Sequence, residues 1–149
     1  MALNKAEILR QSRVLNRHEM KELIMQMLGR TKRMSKSEFE KILRNVIPEE
    51  SYYQTKIMEW LREEYPTAFV WKAAAGPYSQ GGIPDVCAVI DGKYYGFEVK
   101  RPYLGVTSQL QKQTIKKIIA AGGVAEVVTF VEDVEAVIQS VKQGVTKNN

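Results

Sequence analysis

The chain has 149 residues and a mass of 17.0 kDa, which sets one domain as the default. With 44% hydrophobic and 26% charged residues the composition is globular, and its longest apolar runs are too short to span a membrane. The net charge of +5 is uneven: residues 1–47 hold eleven Lys and Arg against five Asp and Glu, a local +6, and the remainder nets −1.

In chain order, residues 4–28 carry an apolar stripe of Met20, Leu23, Ile24, Met27 and Leu28, which predicts one helix stopped at Gly29. Arg30 to Lys36 is a basic connector. Ser37 with Glu40 fits a capping box, opening a helix through Phe39, Ile42, Leu43 and Val46. Pro48 suits the first turn of the next helix, with Glu49 and Glu50 complementing its N-terminus. Tyr53, Ile57, Trp60 and Leu61 form its inner face, and Tyr65-Pro66 ends it. A strand over Ala68–Ala73 and a glycine-containing loop over Ala74–Gly82 follow. Two strands, Pro84–Ile90 and Lys93–Lys100, flank Asp91-Gly92, a strong hairpin turn. Ser108 begins a helix to Ala121 with Leu110, Thr114, Ile115, Ile118 and Ile119 inward, closed by Gly122-Gly123. The strand VAEVVTF and a helix over Val131–Val141 complete the order. The first three strands form an antiparallel meander, and the later helix is long enough to return the last strand in parallel. The expected fold class is α/β with a mixed sheet. Its parts are an N-terminal helical extension (1–47), a core domain (48–143) and a flexible tail (144–149).

The chemistry concentrates in the hairpin. Alternate residues of a strand share a face, so Glu98 and Lys100 lie together roughly 7 Å apart. Counted outward from Asp91-Gly92, Asp85 stands opposite Glu98, so two carboxylates and an ammonium meet at the open end. Such a pair suits a hard divalent cation, Mg²⁺ or Mn²⁺, with water and phosphate oxygens. Glu-x-Lys alone describes a solvated strand edge better than a site, and Pro84-Asp85 in the partner strand, at a matched distance from the turn, shifts the balance. Cys87 reads as a small core residue. His18, the only histidine, reads as exposed surface.

Gly82-Ile83-Pro84-Asp85, then Glu98-Val99-Lys100-Arg101-Pro102, then Ser108 and Gln111 resemble the VRR-NUC family of virus-type replication-repair nucleases. That family lies within the PD-(D/E)XK, restriction-endonuclease-like superfamily. The resemblance covers about Glu50 to Ile138. It implies a restriction-endonuclease-like core of helix, three-strand meander, crossover helix, strand and helix. It implies Asp85 and Glu98 as metal ligands, joined by the Val99 backbone carbonyl, with Lys100 as catalytic lysine and Gln111 beside the site. Ser108 and Gln111 also satisfy a capping box. Glu50 matches the family's glutamate at the start of the first core helix, with Glu49 as rival and Gln54 on the same face.

The remaining polar features read as DNA contacts. Lys72 could face the cleft and meet phosphate or equally stand on a solvated edge. Arg101, which alternation points to the opposite face from Lys100, could twist back toward the cleft. Ser79 and Gln80, in the loop with Tyr78, stand near Asp85. Arg30, Lys32 and Arg33 belong to the basic extension. A basic segment joined to a near-neutral domain suits nucleic acid, although charge alone describes an ordinary solvated helix face as well. The Met-rich N-terminal helices could dimerise, cover the core or hold flanking duplex, and the Met stripe reads as packing. The expectation is a metal-dependent DNA endonuclease, selective for branched DNA such as Holliday junctions. A homodimer is expected, and an intracellular place, in a bacterial host if phage-encoded. The alternatives are a DNA-binding module that keeps the fold without catalysis, and an interaction domain.

Overall fold

The computed structural model describes residues 2–74 and 76–144. The chain divides into two compact units, Met1–Glu49 with Arg101–Gly105, and Glu50–Lys100 with Val106–Asn149. The segment 101–105, which the sequence places inside the core domain, therefore groups with the N-terminal residues. The tail expected from 144 lies, beyond Gly144, outside the described residues.

The first unit holds α1 (Lys5–Gln11), α2 (Arg17–Met27) and α3 (Lys36–Val46). The single helix expected over 4–28 is two. Ser12 Oγ donates back to the Leu9 carbonyl at 2.6 Å, and Asn16 Oδ1 accepts the Glu19 N–H at 2.9 Å as cap of α2. Both side chains compete with helix continuation for backbone partners. The cap of α3 is Ser35 with Glu38, not Ser37 with Glu40. Both pairs have the right spacing, but only Ser35 puts apolar residues at the two staple positions, Met34 before the cap and Phe39 at the fourth helical residue. Both are buried.

Tyr103 anchors the 101–105 segment in this unit. Its hydroxyl donates to the Leu15 carbonyl at 2.6 Å, and its own carbonyl accepts Arg17 Nη1 at 2.7 Å. Its ring meets Phe39 edge-on, with the Arg17 guanidinium over Phe39. Tyr103 has a φ of 62°, a left-handed conformation that costs a non-glycine residue roughly 1–3 kcal/mol. These contacts hold it there.

The second unit runs α4 (Glu50–Glu64), β1 (Phe69–Lys72), β2 (Val86–Ile90), β3 (Lys93–Val99), α5 (Gln109–Ala120), β4 (Val124–Val128) and α6 (Val131–Lys142). The helix expected at Pro48 starts two residues later. The sheet order is β1-β2-β3-β4, with the first three antiparallel and β4 parallel to β3. Asp91 and Gly92 take the positive φ values, 49° and 77°, that a two-residue hairpin turn of this hand needs.

Val86 stands opposite Phe97, and both are fully buried on the face that includes Ala88, Ile90 and Val99. α4 packs on the first three strands, with Tyr53, Ile57 and Leu61 buried, and α6 packs on β4 with Val134, Val137 and Ile138 buried. α5 joins the opposite face, where its Gln111 reaches Glu98. The result is an α/β/α layering. The inward set expected for α5 needs correction: Leu110 is 52% exposed and Ile119 lies at the surface. Gln111, Thr114, Ile115 and Ile118 form the half-buried inner stripe instead, because the Gln111 bond fixes the rotation of the helix. Leu110 lies over Gly81 and Gly82.

Candidate active site

The register Val86↔Phe97 extends by one step to bring Asp85 opposite Glu98, and Ala73 N–H still donates to the Asp85 carbonyl at 2.9 Å. The Asp85 carboxylate turns inward and accepts the Val99 N–H on Oδ2 at 2.9 Å. The N–H and C=O of one strand residue project to the same edge, so the Val99 carbonyl also faces the Asp85 side. Lys100 is the next residue along, and its N–H turns the other way, to the Val128 carbonyl of β4.

Glu98 is 1% exposed. Its Oε1 accepts Gln111 Nε2 at 2.6 Å and lies 3.4 Å from Lys100 Nζ. Its Oε2 is buried with no hydrogen-bond partner. Burial is the first cause pushing the Glu98 carboxyl up to about 7, and the neighbouring Asp85 charge adds to it while Lys100 opposes both. Two carboxylates can share a hydrogen bond only when one keeps its proton, so the ionised pair leaves Oε2 unpaired. A buried polar atom of that kind asks for an explanation.

A hard divalent cation supplies one. Mg²⁺ is held through one or two carboxylates and keeps several waters, so a third carboxylate is not required. No cluster of three or more His, Cys, Asp or Glu occurs among the described residues. The donor set of Asp85, Glu98 and the Val99 carbonyl fits such an ion. Glu50 opens α4 and is half-buried, with Gln54 buried one turn on.

The floor of the site is apolar and tight. Tyr94 hydroxyl donates to Cys87 Sγ at 3.3 Å, and that thiol points to the Pro84 carbonyl at 3.5 Å. Burial raises the Cys87 thiol above its ordinary value, so it stays an unreactive thiol. Gly96 lies between Tyr94 and Glu98 in β3, and a Cβ there would come within 2.8 Å of Pro84 Cγ. Tyr94 and Gly96 were absent from the sequence candidates. Their parity with Glu98 along β3 is the signal that finds them.

The other sequence candidates disperse. Lys72 stands opposite Val86, hence on the Phe97 face of the sheet and not that of Glu98. Ser79 bonds locally, its N–H and Oγ both donating to the Gly76 carbonyl, while Gln80 and Tyr78 are exposed. Arg101 is committed to its own unit: Nη2 donates to the Ile47 carbonyl at 2.6 Å and Nε to the Pro48 carbonyl at 2.9 Å, with Glu49 3.8 Å away. Arg30 lies 3.5 Å from Glu38, and Lys32 and Arg33 are exposed. His18 is exposed as expected.

No family model matches the chain, and no curated protein matches it. A solved structure described as a VRR_NUC domain is similar to it, at 22% identity over 60% of this chain and 94% of that one, with a TM-score of 0.50. The mixed sheet and its helices are thus the restriction-endonuclease-like fold.

Proposed function

We propose that this chain is a metal-dependent endodeoxyribonuclease of the VRR-NUC kind. The observation that carries the proposal is Glu98, buried beside Asp85 with one carboxylate oxygen unpartnered. The fold shared with a VRR_NUC domain supports it, as does the G-x-P-D … E-V-K … S-x-x-Q order of the sequence. Asp85, Glu98 and the Val99 carbonyl would hold Mg²⁺ or Mn²⁺, with Glu50 a further candidate ligand. The bound ion would acidify a water and polarise the scissile phosphate. Lys100 Nζ orients the attacking oxygen and offsets the negative charge that grows on the phosphate. Gln111 holds Glu98 in place through Oε1, a positioning bond of the kind metal ligands depend on. In-line attack then expels the 3′-oxygen, leaving 5′-phosphate and 3′-hydroxyl ends.

Branched DNA is the proposed substrate. A four-way junction has two-fold symmetry, which a homodimer with two sites would match. The basic N-terminal residues, including Arg30, Lys32 and Arg33, would contact flanking duplex. An intracellular setting, phage-encoded in a bacterial host, suits such a substrate. No helix among the described residues is long and apolar enough to cross a membrane.

A non-catalytic DNA-binding module is the weaker reading. Burying the Glu98 carboxylate opposite a second, half-buried one at Asp85 costs stability, and a binder of phosphates gains nothing from it. The test incubates the full chain with linear, flapped and four-way DNA, in Mg²⁺, Mn²⁺ or EDTA, beside Asp85→Ala, Glu98→Ala and Lys100→Ala. Metal-dependent cutting lost in all three variants is expected. No cutting of any substrate, or variants as active as the parent, would overturn the proposal.

A further inference from the structure

From Val99 to Ala125 the chain contains no Asp or Glu, yet it carries Lys100, Arg101, Lys112, Lys116 and Lys117. The residues from 48 onward net −1, so this stretch departs sharply from its surroundings. Lys100 and Arg101 are already engaged, by Glu98 and by the carbonyls of Ile47 and Pro48. The other three all lie on α5, and all are exposed. No ion pair holds Lys112, Lys116 or Lys117 among the described residues, in contrast to Arg17, Arg30 and Arg44, which pair with Glu40 or Glu38.

The helix sorts its residues by face. Gln111, Thr114, Ile115 and Ile118 turn inward, and Gln109, Lys112, Gln113 and Lys116 turn to solvent. Lys112 and Lys116 stand one turn apart, a like-charge spacing that destabilises an isolated helix. An acid at Gln109 or Gln113 would relieve that repulsion, and none is there. The outer face offers only ammonium and amide donors. Its position is fixed as well: the first turn of α5 is tied to the site by Gln111 Nε2 on Glu98 Oε1 and by the Ser108–Gln111 capping box. At 1.5 Å per residue, Lys116 is about 8 Å along the axis from Gln111 and on the outer side of the helix.

We infer that the solvent face of α5, centred on Lys112 and Lys116, binds the DNA phosphate backbone that flanks the site, on the side of the helix turned away from Glu98. The occupant follows from charge complementarity: an array of donors free of acids, starting at a site built for a phosphodiester, fits a polyanionic strand. The inference rests on the nuclease reading for its substrate, but its test does not require cleavage.

The experiment measures binding of the full chain to fluorescent duplex and four-way DNA in EDTA, across a KCl series. Each phosphate neutralised adds about 0.9 to the slope of log K against log salt. The pair Lys112→Ala and Lys116→Ala is expected to reduce that slope by about 2 and to weaken binding at least tenfold at low salt. The pair Lys112→Gln and Lys116→Gln should do the same while keeping polar side chains. Lys93→Ala with Lys142→Ala, which removes equal charge at the hairpin turn and the end of α6, should leave the slope unchanged. Slopes unaltered by the α5 pairs, or lowered equally by the control pair, overturn the inference. Binding that depends on α5 in a chain that cuts nothing with Mg²⁺ would sustain it and overturn the nuclease reading instead. Cutting with an α5-independent slope would do the reverse.

Discussion

Gln111 uses both ends of its side chain amide: Oε1 accepts the Ser108 N–H at 2.9 Å, and Nε2 donates to Glu98 Oε1 at 2.6 Å. The capping box and the site contact are therefore one arrangement, with the cap fixing the rotamer that reaches Glu98. Gln111→Ala removes both, whereas Ser108→Ala removes only the cap hydroxyl. We expect each to lower stability by about 1 kcal/mol. Only Gln111→Ala should shift the Mg²⁺ concentration for half-maximal cleavage, upward by roughly 10- to 100-fold. A metal titration of both variants checks this, and equal shifts would reduce Gln111 to a cap.

The Glu98 carboxyl gives a pH dependence with a definite sign. Burial, then Asp85, raises it from an ordinary 4.5 to about 7. Between those values the folded chain holds more proton than the unfolded one, so stability falls as pH rises through that window and is level above it. The loss is on the order of 1–3 kcal/mol. Thermal unfolding of the metal-free protein should therefore show a falling midpoint from about pH 5 to about pH 7. Glu98→Gln should flatten that segment and leave the protein more stable at neutral pH, because the amide carries no charge to bury. Divalent ions should bind more tightly as pH rises, with release of a proton. A midpoint independent of pH across the window would contradict the burial of an ionised Glu98.

The facing of Asp85 and Glu98 was legible because one turn sets it. Asp91-Gly92 admits a two-residue hairpin, and counting outward from it fixes every pair to the open end. The phase of α5 was not legible: its apolar residues allow more than one inward stripe, and a polar residue, Gln111, decides between them by reaching Glu98. The cap of α3 was ambiguous for a related reason, since two Ser–Glu pairs overlap and burial of Met34 selects one. The break after α1 lacks Gly or Pro, but Asn16 three residues before Glu19 carried a cap signal. The grouping of 101–105 with the N-terminal residues depends on contacts 53 to 91 residues apart in sequence, which no local pattern encodes.

Gly82 and Gly92 both have positive φ, 82° and 77°, and separate two effects of a methyl group. A Cβ at Gly92 meets nothing within 4 Å, while one at Gly82 falls 2.6 Å from Thr114 Oγ1 and 3.0 Å from the Leu110 carbonyl. Gly92→Ala should cost about 1 kcal/mol, for backbone conformation alone. Gly82→Ala adds a clash with the backbone of α5 and should cost roughly 2–4 kcal/mol. Because Gly82 leads into Asp85 and α5 carries Gln111, only Gly82→Ala should also depress cleavage at saturating metal. Denaturant midpoints and single-turnover rates measure the two effects, and matched losses would show that the gap beside α5 has no role.

Arg101 follows Lys100 in sequence, but its bonds are those of a structural cation. Its side chain is 14% exposed, and two of its nitrogens serve the Ile47 and Pro48 carbonyls just past α3. Hydrogen bonds from a charged donor are worth about 1.5–3 kcal/mol each, and lysine cannot reproduce the planar fork that makes two at once. A DNA contact would tolerate Arg101→Lys, since a phosphate is bound well by either cation. A structural contact would not. We therefore expect Arg101→Lys to lower the denaturant midpoint of the full chain by the equivalent of about 2 kcal/mol. The salt slope of DNA binding should stay unchanged under conditions where the variant is folded. A midpoint unchanged by Arg101→Lys would contradict the structural role and return Arg101 to the nucleic-acid surface.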